Sequence, residues 1–310
     1  MPTSHTPPVQ ERYVNPYTDF GFKKLFGTDM NKELLISFLN ALLQKDGQNI
    51  VDLTYLNSEH LGSYSGERKA IFDVYCENDR GEKFIVEMQN VYQQFFKDRS
   101  VFYSTFPIRE QAMRGDWNFE LTAVYTVGIL NFIFDKDRDS PECYHHRVML
   151  MDVDRKHVFY DKLTFIYLEM PKFLKTEAEL DSMFDKWLFV IKNLSRLLER
   201  PVALQERVFE HMFRAAEIAR FSPQELSEYE DSVKAYRDIN NAIVTAKKEG
   251  MEEGMVKGIE EGMAKGLEKG LEEGKHLQSL EIARNLQTLG YPIKDIASIT
   301  GLSIQEIENL

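Results

Sequence analysis

Hydrophobic residues recur along the chain with two different periods, and these periods predict where helices and strands lie. Residues 31–44 carry apolar side chains three and four positions apart, as on one face of a helix: Leu34, Leu35, Phe38, Leu39 and Leu42. Short runs rich in β-branched and aromatic residues follow at 50–57, 69–79 and 82–90 and predict consecutive strands. The turn signal Asn-Asp-Arg-Gly at 78–81 predicts a hairpin between the last two strands.

The second half of the chain continues this order and then becomes helical. Residues 97–113 have helical spacing, and the nearly continuous apolar run at 121–134 predicts a strand that is buried on both faces. Residues 146–154 and 163–171 are further strand candidates. From about 177 to 246 apolar residues again recur three and four apart, which predicts helices.

A glycine stands at every fourth position from Gly250 to Gly274, and an apolar residue follows each of the first six glycines. This internal repeat is compatible with a helix that carries one small and apolar stripe. Seven glycines cost such a helix roughly 7 kcal/mol relative to alanine. Two interpretations stay open, namely a solvated tether between domains and close helix–helix packing in self-association.

The last segment, residues 276–310, has the pattern of a small helical unit. Gly290, Tyr291 and Pro292 break the helical spacing, and Ser303 with Glu306 has the spacing of a capping box at the start of a last short helix. The arrangement resembles a helix-turn-helix. Lys294 is nearly the only basic residue on the expected second helix, so a packing module and a DNA contact both stay open.

Composition limits the class of protein. The 310 residues include 50 acidic and 38 basic ones, and the net charge of −12 argues against tight non-specific DNA binding. Cys76 and Cys143 are too few for a disulfide framework, and both are expected to be buried thiols. The first residues lack the apolar run of a secretory signal, and no stretch has the length of a membrane span, so a cytoplasmic protein is expected.

The chemistry is concentrated in residues 69–90. Glu87 and Gln89 are two positions apart on one strand and therefore share a face, while Asp73 belongs to the preceding strand across the hairpin. Carboxylates among apolar neighbours are costly to bury unless a partner compensates their charge. Mg²⁺ is a natural partner, since it takes one or two carboxylates together with other oxygens, such as the backbone carbonyl of Met88.

An Asp on one strand followed by Glu-x-Gln on the next resembles the signature of PD-(D/E)XK nucleases. The segments PYTDFGFKKLFG, IFDVYCENDRGEKFIVEMQN and FKDRSVFYST, in that order, are similar to the Rpn family of recombination-promoting nucleases and transposases. The resemblance implies an α/β fold with a restriction-endonuclease-like core, a mixed central sheet flanked by helices and an α-helical C-terminal extension. It also implies a metal-dependent DNA endonuclease that promotes recombination or mobile-element transfer.

The resemblance assigns roles to single residues. Asp73 and Glu87 would be metal ligands for Mg²⁺, with Mn²⁺ as a substitute, and Gln89 would take the position of the catalytic lysine. Glutamine can orient groups by hydrogen bonds but supplies no positive charge. A nearby cation could take over that role or bind substrate, and three lysines are candidates: Lys23, Lys24 and Lys69.

Three further polar residues are candidates for the site. Asp19, just before a predicted helix, is either an additional metal ligand or the N-cap of that helix. Arg99 and Tyr103 are four apart and share a helix face, so both are candidates for substrate binding. Arg99 would either grip a phosphate or form an ion pair with an acid of the site. By contrast, His145 and His146 point to opposite faces of a strand, and a surface role is expected for both.

The predicted organisation has four parts. A disordered N-terminus at 1–12 precedes a nuclease-like domain at 13–246, a glycine-every-four helix or linker at 247–275 and a helix-turn-helix-like tail at 276–310. The expected partners are DNA and, through 247–275, a second copy of the chain. Two alternatives to the endonuclease are a nuclease-fold binding or regulatory module with little or no catalysis and an oligomeric scaffold.

Overall fold

The computed structural model describes residues 11–44, 47, 49–60, 70–112, 118–134 and 140–310. Strands in these residues are β1 (Leu53–Tyr55), β2 (Glu59–His60), β3 (Ala70–Ile71), β4 (Val74–Asn78), β5 (Lys83–Gln89), β6 (Val124–Leu130), β7 (His145–Asp152) and β8 (His157–Glu169). Helices are α1 (Asp19–Phe26), α2 (Lys32–Leu42), α3 (Phe96–Glu110), α4 (Met183–Asn193), α5 (Arg207–Ala216), α6 (Pro223–Thr288), α7 (Ile293–Thr300) and α8 (Ile304–Glu308).

A six-stranded mixed sheet organises these elements in the order β1-β4-β5-β6-β8-β7. The β5–β6 and β6–β8 pairs are parallel, and the other neighbours are antiparallel. The predicted hairpin between β4 and β5 is confirmed, with Gly81 at a φ of +76° in its turn. Residues 124–130 of the apolar run at 121–134 form β6, and each of them is buried, as expected for a central strand between two layers.

Helices cover both faces of the sheet. The alternating side chains of β5 show which helices pack on which face. Phe84 and Val86 face the main core, which contains residues of α1, α2, α4 and α5. Ile85 faces the other side and packs in a second cluster with Phe106 of α3. Because side chains two apart share a face, Glu87 and Gln89 lie on the same face as Ile85, towards α3. The α/β architecture with a mixed sheet flanked by helices agrees with the prediction.

The run at 69–79 is not one continuous strand, which corrects the expectation. Residues Ala70–Ile71 form β3 and pair with β2 in a separate two-stranded sheet, whereas β4 begins at Val74 in the main sheet. The physical reason lies at Phe72 and Asp73. The backbone N–H of Phe72 bonds to the Ser58 carbonyl, and the Asp73 side chain takes the place of a backbone acceptor towards β5.

Two compact units divide the chain, residues 1–237 and 238–310. In the second unit the glycine repeat is helical and belongs to α6, and a Cβ added to any glycine from 250 to 274 would meet no atom within 4 Å. The predicted capping box of Ser303 and Glu306 is confirmed at the start of α8. A small apolar cluster of Ala283, Ile296, Leu302 and Ile307 holds the end of this unit together.

Two smaller expectations need correction. Cys76 is buried, and burial raises the pKa of its thiol to about 12, but Cys143 is exposed because it precedes β7 in a loop. His145 and His146, which were expected at the surface, are partly buried. His146 Nε2 lies 3.2 Å from the buried Glu169 carboxylate, and His145 packs against the Phe184 ring. Within the described residues, no helix is long and apolar enough to cross a bilayer.

Candidate active site

Asp73 and Glu87 meet where the β4–β5 ladder ends. The register pairs Val74 with Val86, so the next pair outward is Asp73 with Glu87. The Asp73 Oδ2 atom accepts a hydrogen bond of 2.8 Å from the Met88 backbone N–H, which fixes this carboxylate beside β5. Glu87 is only 8% exposed. The hairpin therefore brings together the two acids that the sequence singled out.

Burial disfavours the ionised form of both carboxylates. Burial is the main cause that raises the pKa of Asp73, and the charge of Asp19 adds to it, while the Met88 N–H, Lys23 and Arg99 oppose the shift. Burial and the neighbouring Asp73 raise the pKa of Glu87 to about 7, against the opposing charge of Arg99. Two neighbouring carboxylates repel each other when both are ionised, and a cation bound between them would stabilise the ionised forms.

The oxygen set at this place suits a divalent cation. In a strand the N–H and C=O of one residue point to the same edge. Since the Met88 N–H points to Asp73, the Met88 carbonyl is directed to the same edge, beyond the start of β4. Among the described residues no group of three or more His, Cys, Asp or Glu side chains converges. Two carboxylates and a carbonyl nevertheless fit Mg²⁺, which retains several waters.

Arg99 lies beside Glu87 and Gln89 at the end of β5. From α3 its Nη2 donates to the side-chain oxygen of Gln89 and lies 3.5 Å from Glu87 Oε2. Its Nη1 donates to Gln93, and its guanidinium lies over the rings of Phe96 and Tyr103. The structure thus brings Arg99 and Tyr103 to Glu87 and Gln89, and it shows Arg99 in an ion pair with an acid of the site.

Asp19 lies near Asp73 without capping its helix. Thr18 is the N-cap of α1, since its hydroxyl accepts the Gly21 N–H, so the expectation of an Asp19 N-cap is wrong. The Asp19 carboxylate is instead paired with Lys23 Nζ at 2.8 Å and is largely exposed. Both residues line a cleft of about 640 Å³ together with Asp73. Asp19 therefore stays a candidate for a metal contact.

Of the other two candidate lysines, the structure describes only Lys24. Lys24 forms an ion pair with Glu225 of α6, and Lys69 falls outside the described residues. The cleft contains residues that the sequence analysis missed, Glu225, Glu228 and Ser232, from the first turns of α6. Ser232 accepts the Phe20 N–H. These residues are about 200 positions from α1, and no local motif marks them.

Comparison with known proteins identifies the family of the chain. A family model described as PD-(D/E)XK nuclease family transposase matches residues 16–246. No curated protein and no solved structure gives a significant match. The matched range contains Asp73, Glu87, Gln89 and the whole six-stranded sheet. Because this range is well over half of the 310 residues, the chain belongs to the PD-(D/E)XK nuclease family transposases.

Proposed function

We propose that this protein is a Mg²⁺-dependent DNA endonuclease and that Asp73 and Glu87 are its metal ligands. One observation carries the proposal, the meeting of the buried Glu87 and the partly buried Asp73, both with raised pKa values, at the end of the β4–β5 hairpin. Membership of a nuclease family makes phosphodiester hydrolysis the reaction, and such nucleases usually use divalent metal ions. Mn²⁺ is expected to substitute for Mg²⁺.

Each group of the site has a part in this proposal. Asp73, Glu87 and the Met88 carbonyl would hold the metal, with Asp19 as a further contact through water. The bound metal would lower the pKa of a water molecule and stabilise charge on the phosphate oxygens. Asp73 is held for this purpose by the Met88 N–H, which leaves its second oxygen, Oδ1, for the metal.

Arg99 supplies the positive charge that Gln89 lacks. Its guanidinium contacts both Gln89 and Glu87, so its positive charge would substitute for the lysine that the PD-(D/E)XK signature has at the position of Gln89. The planar fork of donors is suited to a phosphate oxygen. Gln89 also donates to the Val91 carbonyl, which fixes its amide, so it orients Arg99 while Arg99 stabilises the developing charge.

The test is plasmid cleavage by the purified chain with Mg²⁺, Mn²⁺, Ca²⁺ or EDTA. Asp73→Asn and Glu87→Gln preserve side-chain shape and remove one charge each. We expect nicking or linearisation with Mg²⁺ or Mn²⁺, none with EDTA, and a loss of at least 100-fold in both variants. Glu142→Gln, which alters an exposed acid in the loop before β7, is the matched control and should cleave like the wild type.

The outcomes distinguish an endonuclease from a contaminating activity and from a nuclease-fold binding module. Equal cleavage by wild type and both acid variants would assign the activity to a contaminant and reject the metal ligands. Inactivity of the wild type with every metal, together with DNA binding, would favour a nuclease-fold binding module instead. We further propose that cleavage by this protein serves recombination or mobile-element transfer, in keeping with the transposase description of the family.

We also propose that the chain forms homo-oligomers through the glycine repeat. The apolar residues that follow the first six glycines are between 47% and 76% exposed: Met251, Met255, Ile259, Met263, Leu267 and Leu271. A contiguous apolar stripe beside glycines permits close approach of a second helix. Mass measurement of the full chain in solution, with and without residues 247–310, tests this point, and a monomer at all concentrations would reject it.

A further inference from the structure

Three aromatic side chains are exposed in the segment that follows Gln89. Phe95 is 65% exposed, Tyr92 43% and Phe102 40%. The same segment also contains Phe96 and Phe106, which are 2% and 7% exposed and pack in the core. Phe96 and Phe106 thus attach α3 to the core, whereas Tyr92, Phe95 and Phe102 keep much of their surface exposed, and the Phe102 ring packs edge-on against Phe106 at 5.2 Å. We call Tyr92, Phe95 and Phe102 the aromatic rim.

The rim flanks the candidate active site. The Phe95 carbonyl accepts the N–H of Arg99, one helical turn further on, and Phe102 is three residues after Arg99. Spacings of four and three put Phe95, Arg99 and Phe102 on one face of α3. The Phe102 ring centroid lies 6.3 Å from that of Tyr103, which in turn lies 5.5 Å from the Arg99 guanidinium.

Tyr92 is the third residue of the aromatic rim. It is three residues after Gln89, in the loop that joins β5 to α3. Its ring packs edge-on against Phe132 at 5.4 Å, which holds it in place while 43% of the residue stays exposed. The aromatic rim thus has exposed rings both before and after Arg99 along the chain.

Electrostatics at the site do not favour binding through phosphates alone. The cleft beside Asp73 has four carboxylates, Asp19, Asp73, Glu225 and Glu228, against the two ammonium groups of Lys23 and Lys24. Both ammonium groups are paired with acids of this cleft, and Arg99 is paired with Glu87. Affinity for duplex DNA comes mainly from cations that displace counterions. The side-chain cations of the site are therefore a weak source of affinity, and a contact other than an ion pair would add to it.

We infer that the aromatic rim stacks on unpaired bases, so that the preferred substrate is a single-stranded or locally unpaired stretch of DNA. The inference rests on the proposed nuclease function and deepens it. Aromatic side chains stack on any base, and such contacts are independent of sequence. In a duplex the base faces are covered by their neighbours, and only a strand with unpaired bases can present them to the rim.

The experiment compares binding of one labelled 20-nucleotide DNA as a single strand and as a duplex. The full chain carries Glu87→Gln, which prevents cleavage under the proposal, and binding is measured by fluorescence anisotropy with Mg²⁺ at two salt concentrations. We expect the single strand to bind at least tenfold tighter than the duplex and with the weaker salt dependence. Phe95→Ala and Phe102→Ala should each weaken single-strand binding about tenfold and duplex binding less than twofold.

Two controls separate stacking from general damage. Phe95→Tyr retains an aromatic face and should retain the wild-type affinity. Phe159→Ala removes a ring that is 76% exposed on β8, away from the rim, and should change nothing. Equal affinity for both DNA forms, or equal losses for both in the rim variants, would overturn the inference. A rim variant that loses self-association but keeps its DNA affinity would also overturn it and assign the rim to a protein contact.

Failure of this inference and failure of the nuclease proposal are distinguishable. Metal-dependent plasmid cleavage that disappears in Asp73→Asn, combined with unaltered single-strand binding in the rim variants, would support the nuclease proposal and reject base stacking by the aromatic rim. Rim-dependent binding of the single strand by a chain that never cleaves would retain the rim and reject the nuclease.

Discussion

Arg99 donates a hydrogen bond to the side-chain oxygen of Gln89 and lies 3.5 Å from the carboxylate of Glu87 with the same nitrogen. One guanidinium thus connects α3 to the end of β5. Its Nε is buried and has no hydrogen-bond partner among the described residues. A buried donor without a partner is costly, and the cost would be offset if a substrate oxygen reached it.

The first prediction concerns this arginine. Arg99→Ala should lower cleavage by at least 100-fold, because a cation near the developing charge is lost. Arg99→Lys keeps the charge but not the fork of donors and should recover only part of the activity. The measurement is the initial rate of plasmid nicking at saturating Mg²⁺. Wild-type rates in Arg99→Ala would show that the charge is supplied by another residue.

The second prediction concerns the pH dependence of stability in the absence of metal. The folded protein holds the pKa of Glu87 at about 7, above its ordinary value of 4.5, so folding favours the protonated form. The resulting stability is fully present below pH 4.5 and is lost as the pH rises to about 7. Above that pH, Glu87→Gln should therefore be more stable than wild type by on the order of 1–3 kcal/mol.

Urea denaturation in EDTA at pH 4.5 and pH 8 measures this difference. The two proteins should have nearly equal free energies of unfolding at the lower pH, since wild-type Glu87 is then protonated like its neutral replacement. Added Mg²⁺ should stabilise the wild type at pH 8 and leave Glu87→Gln nearly unchanged. A variant that is less stable than wild type at pH 8 in EDTA would contradict the argument.

Local periodicity was sufficient to predict the elements that build the site. Glu87 and Gln89 share a face because strand alternation is a local property, and the turn before Gly81 fixes the hairpin that places Asp73 beside them. The family resemblance supplied the chemistry of these residues. Their roles stay predictions until cleavage is measured, while the α/β fold and the family are established.

Long-range packing explains what the sequence could not reveal. The ion pair of Lys24 with Glu225 joins residues 201 positions apart, and nothing near either residue indicates it. The break at Asp73 was missed because its carboxylate replaces a backbone acceptor, which no hydrophobic pattern records. Cys143 is exposed because it lies in the loop before β7, and the expectation of burial rested on the residue type and not on the neighbouring sequence.

The third prediction concerns a buried charge cluster at the end of β8. The Glu169 side chain is fully buried and lies 2.7 Å from Lys172 Nζ, and its other oxygen accepts the Phe134 N–H. Glu169→Leu leaves the ammonium of Lys172 buried without its carboxylate and should lower the free energy of unfolding by about 3–5 kcal/mol. The double variant Glu169→Leu with Lys172→Met should be less destabilised than the single one in urea denaturation. Additive losses would show that the two charges are not coupled.

The fourth prediction decides between the two interpretations of the glycine repeat. Gly258→Ala, Gly262→Ala and Gly266→Ala introduce methyl groups that meet no atom within 4 Å in the isolated chain. Together they should stabilise the helix by roughly 3 kcal/mol, seen as a higher melting temperature by circular dichroism. If the stripe packs against a second copy, the methyl groups also separate the two helices and shift the mass in solution towards the monomer.

The matched control changes the residue before each of these glycines, with Lys257→Ala, Glu261→Ala and Lys265→Ala. These substitutions raise the helix propensity only slightly and leave the glycines intact, so self-association should persist. A glycine variant that is more stable and keeps its oligomeric mass would reject close packing and favour a solvated tether. A monomeric glycine variant beside an oligomeric control variant would instead identify the glycines as the contact. The two variants carry the same number of new alanines, and only the control retains the three glycines.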